Sequence, residues 1–90
     1  METADLKLDG NAIGGLLFEL FGVEMTVALS TCGSCGARRP VAELEVYIRC
    51  PGTVARCAAC GATLMRIVEG RGRAWIDLQG LRSLEIVRSG

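Results

Sequence analysis

The chain has 90 residues, ten basic and ten acidic side chains, and no histidine. A chain this short forms one domain and buries only about 60% of its unfolded surface, so a bound metal or a partner often has to add stability. Its longest uncharged run has 13 residues, short of the roughly 18 that a membrane span needs, and its acidic, polar start does not resemble a secretory signal. We therefore expect a cytoplasmic protein with reduced thiols.

The charges are unevenly distributed along the chain. Residues 1–30 hold one base and five acids, whereas residues 31–90 hold nine arginines and five acids. The arginine excess therefore accompanies the cysteines, which all lie in the second segment.

Residues 9–22 have the pattern of one amphipathic helix that follows a flexible start over residues 1–8. Asp9 is placed to cap the amino end, and Gly22 is placed to end the helix. Phe18 lies outside the apolar face of this helix. The face itself consists of four residues: Ile13, Leu16, Leu17 and Leu20.

After the helix, residues 25–87 change to the alternating pattern of short strands. Strands are predicted over four segments: 25–29, 41–48, 62–69 and 73–78. The last two form a hairpin around a glycine-containing loop, and residues 81–87 add either an edge strand or one helical turn. The sequence thus predicts a single small α+β domain over residues 1–90, with a helix followed by an antiparallel β region.

Two CxxCG motifs, which begin at Cys32 and Cys57, carry the clearest chemical signal. In a reducing compartment, paired CxxC spacing favours a metal site over disulfides. Two residues between the thiols let both sulfurs face one ion, and the glycine that follows can adopt a positive φ that exposes N–H groups to the thiolates. The sequence predicts one tetrahedral metal site with four ligands: Cys32, Cys35, Cys57 and Cys60.

The paired CxxCG motifs resemble those of zinc ribbons and rubredoxins, so the region over residues 25–87 is expected to be a zinc-ribbon or rubredoxin-like antiparallel β domain. Zinc is predicted for this site, with iron as the alternative, because a tetrahedral set of four sulfurs suits both metals. Rubredoxins surround their iron with aromatic side chains, and here only Tyr47 and Trp75 are candidates for such a role. A site closed by four thiolates leaves no position for substrate or water, and the chain has no histidine and no catalytic motif. We therefore expect a structural metal and no enzymatic activity.

The fifth cysteine, Cys50, is interpreted as a small, partly buried residue before Pro51. A redox-sensitive thiol or a replacement ligand are the alternatives. Arg38, Arg39 and the arginines of the hairpin loop have the charge to contact phosphate. The net charge of zero and the lack of an aromatic-interleaved basic patch nevertheless argue against nucleic-acid binding.

The order of motifs resembles a known family over residues 8–86. It runs from LDGNAIGGLLFELFG and EMT through CxxCG, VAELEVY and a second CxxCG to RAWIDLQGLRSLEI. The chain resembles short, uncharacterised bacterial zinc-ribbon proteins that form a domain of unknown function. The resemblance implies a ribbon fold and an association with flavin-dependent or molybdenum-cofactor oxidoreductases, and it supplies no activity.

Taken together, these patterns predict a non-catalytic zinc ribbon that serves as a protein-interaction or accessory module. A rubredoxin-like one-electron carrier is the second hypothesis, and a nucleic-acid-binding ribbon is the third. A protein partner is expected because Phe18 and Trp75 are candidates for exposure, and a homodimer through the helix is one form of it.

Overall fold

In a computed structural model of the chain, residues 6–49 and 52–86 are described. This part contains one α-helix, α1 (Gly14–Phe21), and eight strands: β1 (Leu6–Asp9), β2 (Leu29–Cys32), β3 (Arg38–Pro40), β4 (Glu45–Arg49), β5 (Gly52–Arg56), β6 (Thr63–Gly70), β7 (Arg73–Asp77) and β8 (Leu81–Glu85). Short 3-10 segments precede α1 (Gly10–Ile13) and β4 (Val41–Glu43). The predicted small α+β class with antiparallel sheets is confirmed.

The strands form two antiparallel sheets. The larger sheet has the order β1-β4-β5-β6-β7, and the smaller has the order β3-β2-β8. Cys32 ends β2 in the smaller sheet, whereas Cys57 directly follows β5 in the larger sheet. The two CxxC segments therefore belong to different sheets, and any contact between them joins the sheets.

The core is aliphatic and includes two of the cysteines. Its buried residues come from the helical region, both sheets and the connection that contains Met25: Ile13, Leu17, Met25, Ala28, Cys32, Val41, Leu44, Val46, Ala55, Cys57, Leu64, Met65 and Ile67. No aromatic side chain of the described residues belongs to this set. Cys32 and Cys57 therefore pack as core residues.

The helix is shorter than the prediction of residues 9–22. Asp9 does cap its start, but it accepts a hydrogen bond from the Asn11 N–H (3.1 Å) and begins a 3-10 segment, so the α-helix starts only at Gly14. Gly22 ends the helix with φ of 76°, as predicted. The predicted apolar face lies on the core, with Ile13 and Leu17 buried, while Phe18 is 53% exposed.

Tertiary packing explains the 3-10 start. The Gly10 backbone lies against the second 3-10 segment so closely that a Cβ atom at this position would be 1.8 Å from the Val41 carbonyl oxygen. The chain at Gly10 is thus fixed by a contact with residues about 30 positions away. No local pattern contains that information.

The segments on either side of the helix also differ from prediction. Residues 6–8, expected within the flexible start, belong to β1 and pair with β4. The strand predicted over 25–29 is wrong for residues 25–28, which form a turn in which the Ala28 N–H donates to the Met25 carbonyl (3.0 Å). The Met25 side chain is buried in the core although it belongs to a turn. An alternating pattern of apolar residues does not distinguish such a turn residue from a buried strand residue.

The later elements agree better with prediction. The hairpin is confirmed as β6 and β7, and residues 81–85 form an edge strand, β8, on the smaller sheet. The segment predicted as one strand over 41–48 divides into a 3-10 segment and β4, and Leu44 and Val46 are buried. In the described residues, no helix has the length and apolar character to cross a membrane.

Replacing Gly10 with Ala should destabilise the fold by about 1–3 kcal/mol, because the new methyl group overlaps backbone atoms that cannot rotate away. Gly15→Ala is the matched control, since a Cβ there meets nothing within 4 Å and alanine favours a helix by up to about 1 kcal/mol. Urea unfolding of both metal-loaded variants measures the difference. Equal midpoints would contradict the close approach at Gly10.

Candidate metal centre

The first cysteine turn connects β2 with β3. The Cys32 N–H donates to the Ala37 carbonyl (2.9 Å), and the Gly36 N–H donates to the Cys32 carbonyl (3.0 Å). Gly36 has φ of 80°, in the left-handed region that glycine adopts without a steric penalty. This reversal directs the sulfurs of Cys32 and Cys35 to the same side of the turn.

The second cysteine turn repeats this geometry between β5 and β6. The Cys57 N–H donates to the Ala62 carbonyl (2.8 Å), and the Gly61 N–H donates to the Cys57 carbonyl (2.8 Å). Gly61 has φ of 81°. The two CxxCGA segments thus fold in the same way, and the glycine at the fifth position has the same conformational role in both.

Backbone N–H groups of each turn point at the sulfur of its first cysteine. The N–H groups of Ser34 and Cys35 both lie 3.4 Å from the Cys32 Sγ, and the Ala59 N–H lies 3.4 Å from the Cys57 Sγ. Such donors stabilise a negative charge on sulfur. Both turns are therefore organised to hold thiolates.

The two turns bring four sulfurs together: Cys32, Cys35, Cys57 and Cys60, all within 4.8 Å of one another. The shortest contacts cross between the turns, at 3.7 Å for Cys32 with Cys60 and for Cys35 with Cys57. These distances are too long for a disulfide. They match the edge of a tetrahedron around an ion with metal–sulfur bonds of about 2.3 Å, which is about 3.8 Å.

The cluster has a buried side and an exposed side. Cys32 and Cys57 are buried, whereas Cys35 and Cys60 are exposed. The first cysteine of each turn thus anchors the cluster in the core, and the second faces solvent. The donor set and its spacing fit one tetrahedral metal ion, and the structure places all four predicted ligands in the same cluster.

The ionisation of these thiols differs from one position to another. The N–H of Cys35, with further help from Ser34 and the neighbouring thiols, lowers the pKa of Cys32 to about 6 despite burial. Burial raises the pKa of Cys57, but the N–H groups of Cys60 and Ala59 and the thiols of Cys35 and Cys60 together outweigh burial, and the net shift of the pKa is downward.

The pKa of Cys60 reflects the close approach of four sulfurs. The Ala62 N–H lowers its pKa, but burial and the three neighbouring sulfurs outweigh that effect and raise the pKa to about 11. Four thiolates this close repel one another unless a cation lies among them. The chemistry of the donor set therefore agrees with its geometry.

A residue that sequence reasoning missed, Gly80, links the two turns. Its carbonyl accepts a hydrogen bond from the N–H of Gly33, inside the first turn (2.9 Å). Its other side lies directly on β6, just after the second turn, where a Cβ would be 1.9 Å from the Thr63 carbonyl oxygen and 2.7 Å from the Leu64 Cα. Gly80 is therefore a spacer of fixed thickness between the two cysteine turns.

The connection from β7 to β8 holds Gly80 in place. The Asp77 carboxylate accepts a hydrogen bond from the Gln79 N–H (2.9 Å), and the Leu81 N–H donates to the Leu78 carbonyl (3.1 Å). Leu81 then pairs with Cys32 at an irregularity in β2. An Asp-x-x-Gly pattern marks a turn in the sequence, but the sequence does not show what the glycine touches.

The other residues that the sequence singled out differ in their contacts and exposure. Arg38 forms an ion pair with Glu85, and the centre of the Tyr47 ring lies 5.5 Å from the Arg56 guanidinium, so Arg38 and Tyr47 both have partners other than the sulfurs. Trp75 is 54% exposed. Cys50 lies outside the described residues.

Comparison with known proteins identifies the family of this chain. The model of a family of unknown function, DUF6510, matches residues 2–89. The chain belongs to the DUF6510 family. No curated protein and no solved structure matches it. Membership in DUF6510 confirms the expected family of unknown function and assigns no reaction, ligand or partner.

Replacing Gly80 with Ala should weaken metal binding about 10- to 100-fold, the range seen when residues that orient ligands are changed. The added methyl group pushes β6 and the first turn apart, and with them the two pairs of sulfurs. Competition with a chromophoric chelator measures the affinity, and Gly15→Ala is the control. Unchanged affinity in Gly80→Ala would show that the turns align without this spacer.

Cys50→Ser should leave the metal content at its original value, because the cluster is complete without Cys50. Cys57→Ser is the matched comparison and should lose most of the metal, since it removes a buried ligand. Metal-to-protein ratios of the purified variants decide the result. Loss of metal in Cys50→Ser would mean that the four ligands are wrongly chosen.

Proposed function

We propose that this DUF6510 protein is a non-catalytic cytoplasmic module with one structural Zn²⁺, which acts in protein interaction or as an accessory subunit. The observation that carries the proposal is the cluster of four sulfurs contributed equally by two sheets. The proposed ligands are Cys32, Cys35, Cys57 and Cys60. Bound zinc would supply four bonds that hold the sheets together.

A structural role suits both the ligand set and the size of the chain. Four thiolates complete a tetrahedral zinc shell and leave no position for substrate or a reactive water. Cys32 and Cys57 are also part of the core. An ion at this place would therefore stabilise the packing of a domain whose apolar core is small.

Zinc is proposed over iron because the described core has no aromatic residue to enclose the site, unlike that of rubredoxins. One observation favours the alternative, a rubredoxin-like one-electron carrier that serves an oxidoreductase. The exposed side chains of Cys35 and Cys60 would place the metal near the surface, where electrons can reach it, and the N–H···S bonds would tune an iron potential.

The interaction role rests on large apolar side chains that the described fold leaves at its surface. These residues are Phe18, Val23, Val27, Val68, Trp75, Ile76 and Ile86. Nucleic-acid binding ranks below protein interaction because Arg38 and Arg39, the adjacent pair that pointed to phosphate, form ion pairs with Glu85 and Glu43.

Elemental analysis and an absorption spectrum of protein purified without added metal test the identity of the ion. We expect one zinc per chain and no visible bands, because zinc has no partly filled d shell. One iron per chain with thiolate-to-iron charge-transfer bands would replace the scaffold proposal with the electron carrier.

Removal of the metal tests the structural role. Chelation should unfold the domain, because structural zinc contributes on the order of 10 kcal/mol of apparent folding free energy at neutral pH. Circular dichroism before and after chelation, followed by addition of zinc, measures the loss and recovery of folded structure. A chelated protein that kept its fold would contradict the structural role.

A further inference from the structure

The strand β7 (Arg73–Asp77) forms an edge of the five-stranded sheet. In the described residues its one strand neighbour is β6, and the chain leaves β7 for the other sheet through the turn at Gly80. The outer side of β7 therefore presents unpaired backbone N–H and C=O groups. An edge of this kind is a template for another strand.

The side chains along this edge are unusually apolar for a solvent-facing strand. Trp75 is 54% exposed and lies opposite Val68, which is 37% exposed, on the outer face of the sheet. Ile76, on the inner face, is 39% exposed although its partner across the ladder, Ile67, is buried. Both faces of the edge thus end in apolar surface that a neighbouring strand would cover.

The charges on β7 are arranged symmetrically about Trp75. Arg73 lies two residues before it and Asp77 two residues after it, so all three side chains share the outer face. Arg73 forms no ion pair within the part of the chain that the structure describes. In an antiparallel pairing of this strand with itself, centred on Trp75, each Arg73 comes opposite an Asp77.

We infer that β7 pairs antiparallel with β7 of a second copy of this chain, about a twofold axis at Trp75. The two Trp75 side chains lie opposite each other, and Ala74 of each copy lies opposite Ile76 of the other. The two Arg73–Asp77 pairs flank this apolar centre. The dimer joins two five-stranded sheets into one of ten strands and does not depend on which metal is bound.

The backbone of the hairpin agrees with this register. A two-residue loop, Arg71-Gly72, separates β6 from β7, and Gly70 pairs with Arg73. The pair that closes such a loop is hydrogen-bonded, and alternation then directs the N–H and C=O groups of Ala74 and Ile76 to the free edge. These are the groups that the proposed register places opposite each other.

The helix offers a weaker surface for self-association. Its apolar stripe packs on the core, and Phe18 is the large apolar residue of α1 that remains exposed. The opposite edge of the larger sheet, β1, has four residues and runs directly into the 3-10 segment at Gly10. The strand β7, by contrast, combines exposed apolar residues on both faces with self-complementary charge.

The test is the mass of the zinc-loaded full chain in solution, measured by analytical ultracentrifugation over a range of concentrations. The wild type should reach twice the chain mass of 9.5 kDa. Arg73→Asp and Asp77→Arg should each weaken the dimer about 10-fold or more, because each places two like-charged pairs across the twofold axis. An equimolar mixture of these two variants should form dimers again, because one copy then carries a carboxylate at both positions and the other a guanidinium at both.

Two matched controls separate this edge from other surfaces. Arg71→Asp makes the same charge change in the neighbouring loop and should leave the dimer intact. Phe18→Ser removes an aromatic residue that is 53% exposed, close to the 54% of Trp75, and should also leave it intact. Metal content and circular dichroism verify that each variant is folded. The Asp77 carboxylate also holds the turn at Gly80, so if Asp77→Arg loses metal, Arg73→Asp decides the test by itself.

Three results would overturn the inference. The first is a wild-type chain that stays monomeric at about 1 mM, where even a weak dimer would form. The second is a mixture of the two charge variants that fails to dimerise although both are folded. The third is a dimer that Phe18→Ser dissociates and Arg73→Asp does not, which would place the contact on the helix.

Discussion

The meeting of four sulfur atoms between two sheets is the constraint on which the rest of this structure depends. Each sheet supplies one CxxCGA turn, and each turn is closed by the same pair of backbone hydrogen bonds and a glycine with φ near 80°. The turns are thus rigid units that differ little from each other. The rest of the fold has to set the distance between the two turns. If one turn moved by about 1 Å, its sulfurs could no longer complete a tetrahedral shell with metal–sulfur bonds of about 2.3 Å.

That separation is set by backbone contacts and not by side chains. Gly80 lies between the first turn and β6, hydrogen-bonded to Gly33 on one side and in contact with Thr63 and Leu64 on the other. Side chains can change rotamer, whereas backbone atoms in strands and tight turns move little. Gly10 makes a contact of the same kind with Val41, in the second 3-10 segment. Both positions require glycine because neither has room for a side chain.

The small size of the core explains why large apolar side chains remain at the surface. With 90 residues and two sheets, the chain encloses a core of aliphatic residues and two cysteines, and no large aromatic side chain of the described residues lies inside it. Phe18 and Trp75 consequently remain exposed, on α1 and on the edge strand β7. An edge strand that exposes tryptophan between an arginine and an aspartate is suited to pairing with a copy of itself, whereas a helix whose stripe is already buried has less to offer.

The sequence by itself determined the features whose causes are local: the two cysteine turns with Gly36 and Gly61, the hairpin of β6 and β7, the Asp9 cap, the Gly22 helix end and the inward side of the apolar stripe. Each follows from spacing and residue type within a few positions. Only the tertiary structure decided that residues 6–9 form a strand, that the segment at Met25 is a turn, that the helix begins as a 3-10 segment and that Gly80 separates the two pairs of thiols. These features depend on contacts between residues far apart in the chain, and such contacts leave no periodic signal in the residues that make them.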